Sequence, residues 1–236
     1  MSLRRATALL LLVLFASISI SAQSKTKPSD KFRQLEGELP TPNEQRTASG
    51  APGNKYWQQR ADYNIDVELD DVNQRIIGKE TVTYKNNSPD TLDYIWLQLD
   101  QNIFAKDSGA EKTRTAPDFK SVPLRTIDQL VNREGDFKVK IDYVRDGANK
   151  NLKYVVNDTM MRIDLPTPLL PNQQFVFSLA WNYNITNARV FGGRTGYEFF
   201  PQDGNYIYEM AQWFPRLAAY HDSYGWQHKQ FLGSGE

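Results

Sequence analysis

The stretch Phe175-Val-Phe-Ser-Leu-Ala-Trp-Asn-Tyr183 decides the fold. Phe175, Phe177, Leu179, Trp181 and Tyr183 alternate with Val176, Ser178, Ala180 and Asn182. A period of two puts all five large residues on one face of an extended strand, whereas a helix would scatter them around its circumference. The same period recurs on both sides. Tyr63, Ile65, Val67 and Leu69 alternate with polar residues, Asp70-Asp71-Val72-Asn73 reads as a turn, and Arg75 to Lys85 returns with Ile76, Val82 and Tyr84 on one parity. Gly78 interrupts that strand and is expected to mark a bulge. Asn86 to Asp90 has turn composition. Leu92 to Leu99 is expected to be a strand buried on both faces.

Further along, residues 105–125 are polar and read as a long excursion. Phe137, Val139, Ile141 and Tyr143 alternate, Arg145 to Asn149 reads as a hairpin connection, and Leu152, Tyr154 and Val156 follow in period two. Met161, Ile163 and Leu165 make a short strand closed by Pro166-Thr167-Pro168, and Tyr206 to Trp213 is the last strand expected. Repeated short strands with frequent turns and almost no helical period indicate an all-β domain of antiparallel sheets.

Composition narrows the chemistry. The 236 residues contain no cysteine, two histidines, and 28 basic against 28 acidic residues. Disulfide scaffolds and thiolate sites are excluded, and the balanced charge argues against a nucleic-acid partner. A mean hydropathy of −0.60 argues against a multi-span membrane protein. At the N-terminus, Arg4 and Arg5 precede an apolar run of nine residues, Ala8 to Ala16, then small residues to Ser21-Ala22. Spanning a bilayer takes about 20 residues, so no transmembrane segment is expected here. Residues 1–22 instead have the order of a signal peptide, with cleavage expected after Ala22 or, alternatively, Ser21. The protein is therefore expected to be exported, to the periplasm or the medium. Residues 23–54 are polar and broken by Pro and Gly and read as a flexible leader, leaving 55–236 as the β-domain.

Few motifs carry chemistry. No H-E-x-x-H and no G-x-S-x-G occurs. His221 and His228 lack the further ligands that a metal site needs. Gly192, Gly193 and Gly196 read as a turn device, with close approach of a ligand as the other reading. Asp70-Asp71 sits in a turn sequence. Sequons occur at Asn86, Asn157 and Asn184. The segment Tyr206 to Tyr220, followed by His-Asp-Ser-Tyr-Gly-Trp-Gln-His228, mixes aromatics with Glu209, Gln212, Arg216 and Asp222. It reads equally as a core strand with an aromatic loop or as the wall of a binding cleft.

Several stretches, in order, resemble the bacterial branch of the aminopeptidase N family of zinc metallopeptidases. They are Tyr63 to Leu69, Gly78-Lys-Glu-Thr-Val82, Trp96-Leu-Gln-Leu-Asp-Gln-Asn-Ile103, Leu165 to Phe175, and Gln212-Trp-Phe-Pro-Arg216 with Tyr220 and Gly225-Trp226. Asn172 stands where the family has Gly in a Pro-Gly turn. The resemblance implies a saddle-like N-terminal β-domain or sandwich that caps a thermolysin-like catalytic domain. It implies no catalytic residue and no metal ligand within this chain; zinc, general base and peptide-binding motif would belong to the downstream domain that packs on it. The chain thus reads as an N-terminal fragment, inactive alone. Its parent would remove amino-terminal residues from peptides. The substrate's amino terminus would meet Gln212, which matches the family's glutamine, and Glu209 as an amine anchor. In a second alignment Phe214-Pro215 falls instead on a later family motif. Two rival readings are an exported β-sandwich module that binds glycan or protein, stacking sugars on Trp213 and Trp226, and a catalytically inactive relative.

Overall fold

The computed structural model describes residues 42–115, 122–124, 126–127, 135–192 and 194–233. The expected signal peptide and residues 23–41 of the leader lie outside them. The chain divides into two compact units, Met1–Asn54 and Lys55–Glu236. In the first, the Asn43 carboxamide oxygen accepts from the main-chain N–H of Gln45 and Arg46, and Arg46 pairs with Pro52.

The second unit is antiparallel throughout its named strands. β1 (Arg60–Asp70), β2 (Arg75–Lys85), β7 (Gln174–Asn184) and β4 (Lys140–Asp146) form one sheet in the order β1-β2-β7-β4. β10 (Arg216–Leu217), β3 (Leu92–Gln98), β6 (Met160–Leu169) and β5 (Tyr154–Asn157) form the other, in the order β10-β3-β6-β5. Two hairpins complete it: β8 (Thr195–Phe200) with β9 (Asn205–Met210), and β11 (Tyr220–His221) with β12 (Gly225–Trp226). The one-turn helices α1 (Gly109–Lys112) and α2 (Ala188–Phe191) lie in connections.

The alternation in β7 is the interior. Phe177, Leu179 and Trp181 are fully buried and Tyr183 nearly so. They join Val82 and Tyr84 from β2, and Ile95, Leu97, Met161 and Ile163 from the second sheet, in one core cluster. Each such side chain contributes about 1.5–3 kcal/mol on burial.

Four expectations need correction. Gly78 marks no bulge, since β2 pairs with β1 and β7 without a register break. It leaves a slot: a Cβ there would collide with the Trp181 indole. The bulge sits in β4, where the register shifts between Ile141 and Tyr143 and leaves Asp142 over. The strand Leu92–Leu99 is buried on one face only, with Leu92, Ile95, Leu97 and Leu99 inside and Tyr94 and Trp96 half-buried. Pro166-Thr167-Pro168 does not close β6. The strand runs on to Leu169, and residues 165–168 bulge opposite Asp93, which is where a sheet tolerates proline. Lastly, the Arg145–Asn149 turn starts as a hairpin, with Leu152 N–H donating to Val144, but then carries the chain from one sheet to the other. β5 is accordingly an exposed edge strand rather than a half-buried one.

Candidate functional site

Leu99 follows β3, and its N–H donates to the Thr159 carbonyl at 2.8 Å. The chain then tightens into a 3-10 turn, Asp100–Phe104, with Asp100, Gln101 and Asn102 all buried. Each of these three has a committed side chain. Asn102 accepts from Val139 N–H at 2.7 Å and donates to the Asp158 carbonyl at 2.7 Å, tying the turn to two other segments. Asp100 Oδ2 lies 2.8 Å from Arg216 Nη2. Gln101 donates through Nε2 to the Ala211 carbonyl at 2.9 Å, with the Thr195 hydroxyl at 3.4 Å and the Gln212 carbonyl at 3.5 Å.

These last contacts fix the base of the β8–β9 hairpin. Thr195 pairs with Met210, and Ala211 N–H donates to the Arg194 carbonyl at 3.1 Å, extending the ladder by one rung. Gly196 lies inside β8, and a Cβ there would meet the Thr186 carbonyl oxygen at 2.7 Å. Of the glycine cluster, Gly192 is the turn device: at φ 68° it closes α2. Gln212 follows the hairpin with φ 51°, a left-handed backbone uncommon for a residue with a side chain.

A cavity of about 610 Å³ opens here, lined among others by Asp100, Gln101, Phe104, Arg194, Thr195 and Gln212. That volume suits a small ligand or a peptide end. Phe104 and Phe191 meet edge to face at 5.7 Å and supply apolar wall.

The two residues singled out from the sequence are placed differently. Gln212 lines the cavity. Glu209 is exposed on β9 opposite Gly196 and is not among the lining residues. Gln101, Arg194 and the Asp100–Arg216 pair were not singled out. The motif containing Asp100 and Gln101 was visible, but nothing local in the sequence says what they touch.

Other motifs resolve into structure. His221 Nε2 lies 2.8 Å from the Gln227 amide nitrogen, and its Nδ1 accepts from Ser223 N–H at 3.3 Å. His228 Nδ1 is 2.9 Å from the Trp226 carbonyl, and its ring lies 5.1 Å from that of Trp96. Among the described residues no group of three or more His, Asp or Glu could hold a metal ion, so these residues do not fit zinc. Asp70 closes its turn by accepting from Val72 and Asn73, and the Asn73 bonds hold its carboxyl below the usual range. Asn86 is fully buried and donates to the carbonyls of Asp90 and Leu169, which removes it as a glycan acceptor on the folded domain. Trp226 is a core residue, and Trp213 packs half-buried against Trp181 and Phe214, so the exposed pair expected for sugar stacking does not exist.

No protein-family profile matches the chain, and no curated protein matches it in sequence. Solved structures do align with it. One is a point mutant of an M1 zinc metallopeptidase from Deinococcus radiodurans, at 12% identity and a TM-score of 0.36, covering 63% of this chain and 25% of that one. The same mutant bound to a Tyr-Ser-Ala substrate gives 12% and 0.36, covering 63% and 26%. A third structure of an M1 zinc metallopeptidase from that organism gives 12% and 0.34, covering 57% and 22%. The chain thus spans about a quarter of the length of these proteins. The likeness is remote and partial and fixes neither family nor activity. Among the described residues no helix is long and apolar enough to cross a membrane.

Proposed function

We propose that this chain is the N-terminal, non-catalytic β-domain of an exported zinc aminopeptidase-like protein, where it forms one wall of a peptide cleft. One observation carries the reading. Two of the stretches that resemble the aminopeptidase N family, around Asp100-Gln101-Asn102 and around Gln212, meet through the Gln101 amide at a single cavity. A carboxamide such as that of Gln212 can both donate to and accept from a peptide end. Glu209 stands three residues earlier, exposed and without an ion pair among the described residues, as the anchor for an amine. Zinc would sit in the downstream catalytic domain, where it would polarise the scissile carbonyl and activate water.

The test has two parts. The reading frame continued past Glu236 must encode H-E-x-x-H with a further glutamate downstream. The full protein must release amino acids from aminoacyl chromogenic substrates, with KM raised by Gln212→Ala. A continuation without the motif, together with no release, sinks the proposal. Export is tested by N-terminal sequencing of the mature protein, which is expected to begin at Gln23.

A further inference from the structure

We propose that the cavity beside Gln212 takes a carboxylate on Arg194 and so favours peptides that carry an acidic side chain. The inference rests on the peptide-cleft reading and adds a substrate class to it.

The charges around the cavity carry the inference. Asp100 is matched by Arg216 at 2.8 Å. Arg114, another lining residue, is matched by Glu111 at 2.7 Å. Arg194 is exposed, and its guanidinium has no hydrogen bond or ion pair among the described residues. Its main chain is nevertheless held firmly, by the Ala211 N–H on its carbonyl and by the Thr195–Met210 pair next to it. The base of the hairpin therefore presents to a preformed cavity a positive charge that is unmatched among the described residues. The Nε2 donor of Gln101 is spent on holding that base.

Such a charge attracts a carboxylate side chain. A guanidinium meets a carboxylate with two parallel N–H···O bonds, stronger than neutral hydrogen bonds and specific in geometry. The Phe104–Phe191 pair supplies apolar wall to one side of the cavity. Glu209, outside the lining, does not compete for Arg194.

The experiment is calorimetric titration of the chain with two matched peptides, Glu-Ala-Phe-amide and Gln-Ala-Phe-amide, at low and high salt. The acidic peptide is expected to bind about tenfold more tightly at low salt, the gap narrowing at high salt. Arg194→Ala should abolish the difference, and Arg194→Lys should retain part of it, since it keeps charge but not the fork. Arg194 is exposed, so both variants should fold, as circular dichroism can verify. Equal affinity of the two peptides, or a preference that survives Arg194→Ala, overturns this inference and leaves the cleft reading standing. No binding of either peptide overturns both.

Discussion

Arg216 Nη2 lies 2.8 Å from Asp100 Oδ2, and the two ends of this pair are unequally buried: the Asp100 side chain is 3% exposed and that of Arg216 33%. The inequality makes the pair asymmetric under mutation. Arg216→Met removes the ion-pair partner of a nearly buried carboxylate and should cost about 3–5 kcal/mol. Asp100→Asn leaves a cation whose side chain is one-third exposed, although its Nε is buried, and should cost less. Urea unfolding of both variants checks this, and a larger loss for Asp100→Asn would contradict the burial argument.

The slot at Gly78 gives a second prediction. A methyl group there strikes the Trp181 indole, which is fully buried and packs parallel to Tyr183 at 6.0 Å. Gly78→Ala should therefore cost about 1–3 kcal/mol through overpacking. In a Trp181→Leu background the collision disappears, so the same substitution should cost much less. A double-mutant cycle measures that coupling. Additive effects would mean the glycine serves another purpose.

These two sites show what the sequence records and what it does not. Burial writes itself as a period of two, so Phe177, Leu179, Trp181 and Val82 could be assigned to the core directly. A glycine, however, looks the same whether it marks a bulge or makes room for a neighbour, and Gly78 was misread for that reason. The true bulge at Asp142 is silent because an acidic residue in a strand looks like any outward-facing one. Proline reads as a stop at Pro166 and Pro168, although a strand can carry it where the ladder is already interrupted. Around the cavity the aromatic and polar composition of residues 206–220 was legible. The Gln101–Ala211 bond joins residues 110 apart in sequence, and no local pattern encodes it.

Glu80 gives a prediction about pH. It points inward from β2, 2% exposed, and among the described residues neither carboxylate oxygen has a hydrogen-bond partner. Burial pushes its pKa up from 4.5 to about 8. Below about pH 4.5 both folded and unfolded chains hold the proton, and this group adds no pH dependence. Between 4.5 and 8 only the folded state holds it, so stability falls as pH rises, by on the order of 5 kcal/mol at most, and levels off above 8. Glu80→Gln should flatten that slope and exceed the parent in Tm at pH 8.5. Parallel Tm–pH curves for the two proteins would rule it out.

The last prediction concerns the pin between the turn and the hairpin. Gln101 is buried, and its amide is the hydrogen-bonding link from the Asp100–Phe104 turn to the Ala211 and Gln212 carbonyls. Gln101→Leu keeps much of the volume and removes the donor, leaving the part-buried Ala211 carbonyl less well satisfied at a cost of about 1–3 kcal/mol. The core lies elsewhere, between the two sheets. The loss should therefore appear locally, as faster amide exchange across β8 and β9, with slow exchange retained in β2 and β7. Peptide affinity should fall with it, because Arg194 and Gln212 are positioned through the same base. Uniform acceleration of exchange across all strands would show that Gln101 supports the whole domain. Unchanged exchange in β8 and β9 would show that the hairpin base holds without it.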